Sequence, residues 1–202
     1  LGSRGLGDVY KRQGHEVGNR LAERLDIPLY DHNLLRMAAR ELGVSDEDVA
    51  KVDETMLGRF LSGYVAGSGE YTAFMSGEEA GRPLSDRLFE AQSELIRRLA
   101  QRGPGIFVGR CADQILKDDN QLLRVYIYAS DMEDRIKRIK KNKHISQEEA
   151  LDRIAYKDRQ RRDYYNFYTG HEWGKMENYD ICLNTSVLSE EECVELLMKL
   201  AE

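Results

Sequence analysis

Short apolar runs that favour β-strands alternate with helical segments along most of the chain. The helical segments carry apolar residues at helical spacing, and three of them follow Ser-x-x-Glu capping boxes. Four strand-like runs separate them, at residues 27–31, 106–109, 122–129 and 179–185. Strands that alternate with helices form a parallel sheet covered on both faces, and ligands bind at the carboxyl ends of its strands. The sequence therefore predicts an α/β fold.

The composition indicates one compact domain with a charged surface. The chain has 202 residues, of which 41% are apolar and 33% are charged, and its formal net charge is -6. This length can bury a substantial core, and the negative charge argues against bulk nucleic-acid binding. The apolar runs are too short to span a bilayer, so we expect no membrane partner. The three cysteines lack metal-type spacing, and we expect reduced thiols in a cytoplasmic protein without a protein-bound metal.

Positive charge is concentrated in the second half of the chain. Residues 135–162 hold eleven Lys and Arg against four Asp and Glu. Within residues 157–170, four cations interleaved with two carboxylates are followed by four aromatic residues within five positions. One guanidinium group can bind two phosphate oxygens at once. Arginines followed by stacking rings therefore suggest a nucleotide or polyphosphate ligand. The alternative is an ordinary solvated face of a helix.

Two further segments are expected at the ligand-binding edge of the sheet. The strand at 106–109 is followed by Arg110 and Asp113, about one helical turn apart, where a ligand would lie. These two side chains could instead merely pair with each other. Near the amino terminus, residues 14–18 lead into a helix whose first turn can hold an anion through free amides and the helix dipole. A lone histidine such as His15 is more often a surface residue than a ligand.

The first thirteen residues have a separate interpretation. Residues 3–13 can be encoded, without a gap, by the adapter used in transposase-based sequencing libraries. We therefore expect residues 1–13 to be an artefact, with the natural sequence entering at about Gly14 and continuing to residue 202 as one domain. An independent copy of the gene with the same codons in genomic context would contradict this expectation.

Taken in order, five sequence motifs resemble the cytidylate kinase-like family, which belongs to the P-loop nucleoside monophosphate kinases. The motifs are GHEVGNRLAERL at 14–25, IPLYD at 27–31, VGRCAD at 108–113, YYNFYTG at 164–170 and NYDICLNT at 178–185. The resemblance implies a three-layer α/β/α P-loop kinase fold with a five-stranded parallel sheet. It also implies a helical monophosphate-binding excursion over about 32–85 and an arginine-rich lid over about 157–175.

The resemblance assigns the amino-terminal and strand-end residues. In this family the first strand and a glycine-rich phosphate loop precede the HEVG segment, so the first strand would be missing here and Gly14 would be the last glycine of the loop. His15 stands where the Walker A lysine of cytidylate kinases would align, and Gly18 belongs to the same phosphate-binding segment. Arg110 and Asp113 lie close to the pair that binds the acceptor monophosphate and its ring.

The resemblance also assigns the lid and the reaction. Asp158, Arg161 and Arg162 match the lid motif, whose arginines bridge donor and acceptor phosphates, and Tyr164 and Tyr165 are implied as stacking or packing partners. The implied reaction is ATP-dependent phosphoryl transfer to a nucleoside monophosphate of the CMP type, with Mg²⁺ accompanying ATP. The implied partners are these two nucleotides, with no nucleic acid and no membrane. Without its first strand this chain would be impaired.

Three other functions stay open on the sequence. A P-loop kinase for another small metabolite would keep the sheet and the lid but change the acceptor excursion, which the unusual residues 58–85 leave open. A non-catalytic nucleotide-binding regulator is favoured by the absence of the Walker lysine. An RNA-binding module would use the basic stretch and its aromatic residues, with an affinity that falls steeply as salt rises. The acidic net charge counts against the last.

Overall fold

The computed structural model describes residues 12–45, 83–141 and 145–201. Its helices are α1 (Arg12–Leu25), α2 (Asn33–Glu41), α3 (Leu84–Ala100), α4 (Ala112–Ile115), α5 (Met132–Lys141), α6 (Gln147–Thr169) and α7 (Glu190–Ala201). Its strands are β1 (Leu29–Tyr30), β2 (Ile106–Phe107), β3 (Val125–Tyr128) and β4 (Ile181–Asn184), and a 3₁₀ turn spans Met176–Asn178. This order of strands and helices confirms the predicted α/β class.

The described strands form two separate parallel pairs. Strand β1 pairs with β2, with Leu29 opposite Ile106, and β3 pairs with β4, with Val125 opposite Ile181. Both pairs are parallel because helices return the chain to the same end before the next strand begins. The five-stranded sheet is not formed within the described ranges, where the strands stay in two pairs. The three-layer P-loop arrangement and its missing first strand therefore stay predictions.

Helix α1 packs against both strand pairs. A side-chain carbon at Gly18 would lie 3.0 Å from Leu29 Cδ1 and 3.3 Å from Val108 Cγ2, so a larger residue would push the helix away from the first pair. The neighbouring Val17 is 0% exposed and packs with Leu183 of β4 and with the apolar face of α7. Gly18 thus has a packing role in this structure, and its contact with phosphate stays a prediction.

Two further apolar clusters fix the helices that carry the candidate site. The first joins α2, α3 and α4 and contains Leu34, Ala38, Leu95, Ile96, Leu99, Ala112 and Leu116. The second joins α5 and α6 and contains Ile136, Ile139, Ala150 and Ile154. Removing these surfaces from water is the main force that holds the helices in place. Helix α3 is consequently fixed beside the loop after β2, and α6 is fixed beside α5.

Most of the predicted lid lies on one continuous helix. The Ser146 hydroxyl accepts a hydrogen bond from the Glu149 amide at 3.1 Å, as the capping-box pattern predicts. Helix α6 then runs without interruption to Thr169 and ends at Gly170, whose φ of 70° suits glycine. The first thirteen residues of the predicted lid, 157–169, are therefore helical, and the lid is not a separate loop over that range.

Other sequence predictions fall partly outside the described residues. The excursion over about 32–85 is described at its two ends, where α2 forms and α3 begins, whereas its residues 46–82 lie outside. Residues 1–11 of the expected adapter segment lie outside as well. Among the described residues, no helix combines the length and the apolar composition needed to cross a membrane.

Candidate functional site

The loop after β2 has an unusual backbone. Gly109, Arg110 and Cys111 follow the strand with φ angles of 72°, 57° and 58°, so three consecutive residues are left-handed. Residues other than glycine adopt this region at a cost, and they persist there when neighbouring groups hold them. Cys111 is 3% exposed, and burial raises the pKa of its thiol to about 12. The loop presents Arg110 at the carboxyl end of β2, the edge at which the sequence predicts a ligand.

A buried amide from α3 contacts this loop. Gln92 is 0% exposed, and its Nε2 lies 3.5 Å from the Arg110 carbonyl oxygen and 3.4 Å from the Tyr164 hydroxyl. Burial raises the pKa of Tyr164 to about 12, although the charge of Arg110 acts in the opposite direction. Arg110 and Tyr164, two predicted site residues from distant parts of the sequence, therefore share one neighbour.

Gln92 is absent from the residues predicted from sequence, although a signal was present. Position 92 falls on the apolar stripe of α3, one turn after Leu88 and one turn before Ile96. A polar side chain on such a stripe is buried with the stripe and must find hydrogen-bond partners there. The long-range contacts that make this glutamine informative become visible only when α6 and the loop after β2 are placed beside it.

Asp113, on α4, accepts a hydrogen bond from α6. The Tyr165 hydroxyl lies 2.5 Å from Asp113 Oδ2, and Tyr165 is 5% exposed. Burial first, and then this bond to the carboxylate, raise the pKa of the Tyr165 hydroxyl well above its ordinary value. The hydroxyl therefore stays protonated and donates. The bond joins the lid helix to the segment after β2, so the predicted residues Asp113 and Tyr165 lie together.

A third tyrosine completes the docking of α6. Tyr168 stacks on Phe89 of α3, with ring centroids 3.9 Å apart and planes 11° apart, and its hydroxyl lies 3.3 Å from Asp86 Oδ1. The tyrosines at 164, 165 and 168 thus all pack against α3 or α4 in this structure. Whether the rings also contact a nucleotide, as the sequence predicts for Tyr164 and Tyr165, stays a prediction.

Asp158 on α6 lies between two arginines. Its Oδ2 is 2.5 Å from Arg135 Nη2, and its Oδ1 is 3.2 Å from Arg161 Nη1. Two guanidinium groups and one carboxylate leave a net charge of about +1. Burial lowers the pKa of Arg161 from its ordinary value, but arginine remains charged in proteins. The predicted residues Asp158 and Arg161 therefore lie in one cationic group.

Arg135 is the member of this group that the sequence analysis did not single out. It lies in the first turn of α5, which begins just after β3. Since ligands bind at the carboxyl ends of parallel strands, a cation one turn into the following helix is a natural candidate. The Ser-x-x-Glu pattern at residues 130–133 predicts a helix start within two residues of Met132, where α5 begins. Choosing Arg135 among the many cations of this stretch requires knowing that it meets Asp158.

Arg162 points into different surroundings from Arg161. It lines an open cavity of about 420 Å³ between α5 and α6. The other residues that line the cavity are Met132, Leu151, Asp152, Ile154, Ala155, Asp158 and Arg159. The two predicted lid arginines are consecutive on a helix, so they necessarily leave it in directions about 100° apart. Asp158 is the residue that touches both environments.

The amino-terminal candidates lie within a helix. The sequence predicts that residues 14–18 lead into this helix, whereas α1 already begins at Arg12, so the predicted start was wrong. Glycine lowers helix propensity without stopping a helix, and no proline interrupts this stretch. Among the described residues, no atom lies within 4 Å of the position that a side-chain carbon at Gly14 would take. Gly14 and His15 consequently belong to the first turns of α1.

His15 contacts a carboxylate that follows β1. Its Nε2 lies 2.9 Å from Asp31 Oδ2, and its Nδ1 lies 3.0 Å from the Asn19 side-chain nitrogen. Asp31 also accepts a hydrogen bond from the Asn33 amide at 3.0 Å and lies 2.9 Å from His32 Nδ1. Burial alone would raise the pKa of Asp31, but these hydrogen bonds and the nearby histidines outweigh it and lower the pKa. The motif IPLYD contains Asp31, yet the sequence analysis gave it no role.

Aromatic rings connect the two ends of the site. Tyr126 of β3 stacks on Tyr179, with ring centroids 4.7 Å apart. Burial and then the charge of Asp113 raise the pKa of Tyr179 to about 12, and burial and then the charge of Asp158 raise that of Tyr126. The charge of Asp113 therefore acts on Tyr179, and the charge of Asp158 acts on its stacking partner Tyr126.

Comparison with known proteins identifies the family. No curated protein matches the chain. A solved structure, the crystal structure of an uncharacterized protein from Eubacterium ventriosum ATCC 27560, superimposes with a TM-score of 0.67 at 24% identity and covers 95% of this chain and 93% of that chain. This likeness shows a shared fold. A sequence model of the cytidylate kinase-like family matches residues 10–187, and the chain therefore belongs to the cytidylate kinase-like family.

Proposed function

We propose that this protein transfers the γ-phosphoryl group of ATP to a nucleoside monophosphate, with CMP as the preferred acceptor. Membership of the family supports a kinase-type phosphotransferase. The observation that carries the proposal is the position of α6. The middle of this helix holds Asp158 and Arg161 beside Arg135, and the next turn docks onto the segment that carries Arg110 and Asp113.

The lid group, which consists of Arg135, Asp158 and Arg161, supplies the positive charge that phosphoryl transfer requires. An oxygen of the acceptor phosphate attacks the γ-phosphorus of ATP, the bond from that phosphorus to the bridging oxygen breaks, and ADP leaves. Catalysis of this step depends on positioning and on positive charge rather than on covalent help. Arg161 is partly withdrawn from water, where its charge acts more strongly on a phosphate oxygen. Asp158 fixes the Arg161 guanidinium, and Arg162 is the second lid arginine.

The acceptor binds beside the loop after β2 in this proposal. Arg110 binds the monophosphate, and Asp113 binds the ring of the acceptor. Support comes from the contacts that hold these side chains before a ligand arrives: Gln92 and Tyr164 contact Arg110, and Tyr165 donates to Asp113. Side chains that are already ordered lose less freedom when they bind a ligand.

ATP, accompanied by Mg²⁺ as part of the substrate, binds at the amino-terminal end of α1 in this proposal. The free amides and the positive end of the helix dipole favour phosphate there, and Gly14 and His15 lie in the first turn, whereas Gly18 follows one turn later and packs against Leu29. The His15 ring is oriented by its contacts with Asp31 and Asn19. A histidine held in this way can donate to a phosphate only when Asp31 releases it.

A nucleotide-binding regulator without turnover is the second candidate. The observation in its favour is again His15, which stands where related kinases carry a lysine and whose Nε2 lies 2.9 Å from Asp31. Without a lysine, the donor phosphates lose a flexible cation that follows the transferred group. Such a protein would bind ATP tightly and transfer nothing.

An acceptor panel tests the proposal. The purified protein is incubated with ATP, Mg²⁺ and each nucleoside monophosphate or small metabolite in turn, and the products are separated by ion-exchange chromatography. We expect ADP and CDP in equal amounts, with CMP as the best acceptor. Transfer to a metabolite that is not a nucleotide would indicate another kinase, and ATP binding without transfer would indicate the regulator. Parallel assays of protein expressed from the full genomic coding sequence test the expected impairment of this chain.

A further inference from the structure

Gln92 is a buried polar residue on an otherwise apolar helix face. It is 0% exposed, and its neighbours on the stripe are Leu88 and Ile96, which are also 0% exposed. Within the described residues, no hydrogen-bond partner lies near its Oε1. A buried amide with an unmade hydrogen bond destabilises a fold, whereas an apolar side chain of similar size packs without that cost. The amide therefore needs a role other than packing.

The Gln92 amide interacts with Arg110 both directly and through Tyr164. Its Nε2 lies 3.5 Å from the carbonyl oxygen of Arg110 and 3.4 Å from the hydroxyl of Tyr164. That hydroxyl in turn interacts with the side chain of Arg110. Gln92 thus contacts the backbone of Arg110 directly and its guanidinium through Tyr164. Both contacts of the amide are at the long end of the hydrogen-bond range.

Arg110 depends on such support. Its φ of 57° places it in the left-handed region between two other left-handed residues, Gly109 and Cys111. This conformation is held by surrounding contacts rather than by intrinsic preference. Arg110 Nε is fully buried, so the inner end of the guanidinium is withdrawn from water. A small change in the backbone at Arg110 would redirect the outer end of the guanidinium by a larger distance.

The geometry points to Gln92 as a positioning residue that aims the Arg110 guanidinium at the acceptor phosphate. This inference rests on the proposed function, because it assigns Arg110 to the monophosphate. It adds to that function a residue of α3 that touches no substrate. Gln92 and Tyr164 act together: one sets the backbone of Arg110 and the other sets its side chain.

The first test compares ligands that differ only in the phosphate. Gln92→Met keeps the length of the side chain and removes its hydrogen bonds, and Ser93→Ala is a matched control at the adjacent buried position of α3. Binding of CMP and of cytidine is measured by titration calorimetry. We expect Gln92→Met to weaken CMP binding about tenfold and cytidine binding less than about twofold. Ser93→Ala should leave both affinities unchanged, and Tyr164→Phe should act as Gln92→Met does, but more weakly.

Combining Gln92→Met with a substitution of Arg110 distinguishes a positioning role from a packing role. In an Arg110→Met protein, Gln92→Met should have no further effect on CMP binding, because the group that it positions is gone. Equal weakening of CMP and cytidine, or the same tenfold loss in the Arg110→Met background, would overturn the inference. Either result would mean that Gln92 supports the fold in general.

A second test needs no ligand. The Nε–H signal of Arg110 is followed by ¹H–¹⁵N NMR in the free protein and assigned through its loss in Arg110→Lys. Gln92→Met should speed its exchange with water at least about tenfold, whereas Ser93→Ala should not change it. Unchanged exchange in Gln92→Met would overturn the inference. If the wild-type protein binds no nucleoside monophosphate, the proposed function fails, and this exchange measurement still decides the role of Gln92.

Discussion

Two neighbouring stretches of α6, one at Asp158 and Arg161 and the other at Tyr164 and Tyr165, make different kinds of contact. At the strand-end site, defined as Gln92, Arg110, Asp113, Tyr164 and Tyr165, buried side chains and phenol hydroxyls fix the geometry. At the lid group, which consists of Arg135, Asp158 and Arg161, the geometry is fixed by ion pairs that are partly exposed to water. Packing gives one fixed geometry, whereas ion pairs can exchange a carboxylate for a phosphate. The strand-end site is therefore suited to hold an acceptor and the lid group to meet the transferring phosphoryl group.

The largest expected effect tests the catalytic side of this comparison. Arg161→Ala should lower the rate of phosphoryl transfer by about 10³, a typical effect for an arginine that stabilises the transition state. Arg162→Ala, at the second lid arginine, should lower it to a similar degree. Arg153→Ala is the matched control, because Arg153 lies on the same helix but pairs with Glu149. Steady-state kinetics with CMP checks this, and near-wild-type turnover in both lid variants would reject the assignment.

Tyr165→Phe tests the packed side through stability. The substitution removes the hydroxyl that donates to Asp113 and should lower the free energy of unfolding by about 1.5–3 kcal/mol, as expected for a hydrogen bond to a charged group. Tyr156→Phe is the control, because Tyr156 lies on the same helix and is 47% exposed. Urea unfolding measures both variants. Equal stability of the two would show that the Asp113 contact does not hold α6.

Asp158→Asn tests the ionic side. The two guanidinium groups lose their shared carboxylate and repel each other, but water screens them in part, since the Arg161 side chain is 33% exposed. We expect a loss of about 1 kcal/mol of unfolding free energy at low salt. The loss should shrink in about 0.5 M NaCl, because salt screens exposed charges. If Tyr165→Phe shows the stronger salt dependence of the two, the comparison between these two stretches of α6 is wrong.

The smallest expected effect is that of Asp31 on stability at acidic pH. Its pKa in the folded protein is lowered, so its contribution to stability is present above the unfolded pKa of about 3.9 and is lost as pH falls through the folded value. We expect Asp31→Asn to be less stable than wild type at pH 6 by under about 1 kcal/mol. This difference should disappear as pH falls below about 4. A difference that grows in acid would contradict the sign of this shift.

Local features of the structure could be predicted from the sequence. The alternation of strands and helices, the cap at Ser146 and the position of Arg110 at a strand end all follow from short stretches of sequence. The start of α1 was missed because glycine near a helix start is compatible with a loop and with a first turn. Local patterns therefore fix the class of the fold and one edge of the site.

Contacts between distant segments could not be predicted. Arg135 is one of many cations in its stretch, and it becomes specific only because Asp158 lies 2.5 Å away. Gln92 can be recognised as a site residue only because its side chain contacts Tyr164 and Arg110, which lie on two other segments of the chain. These contacts depend on how helices pack, and helix packing is set by the summed burial of apolar faces rather than by any motif.

Phosphorus NMR of the reaction tests the central claim most directly. Protein expressed from the full genomic coding sequence is mixed with ATP, Mg²⁺ and CMP, and wild type is compared with Arg161→Ala. The proposed function predicts that CDP and ADP appear at equal rates in wild type and about 10³ more slowly in the variant. Formation of ADP and free phosphate without CDP, or an unchanged rate of CDP formation in Arg161→Ala, would contradict it.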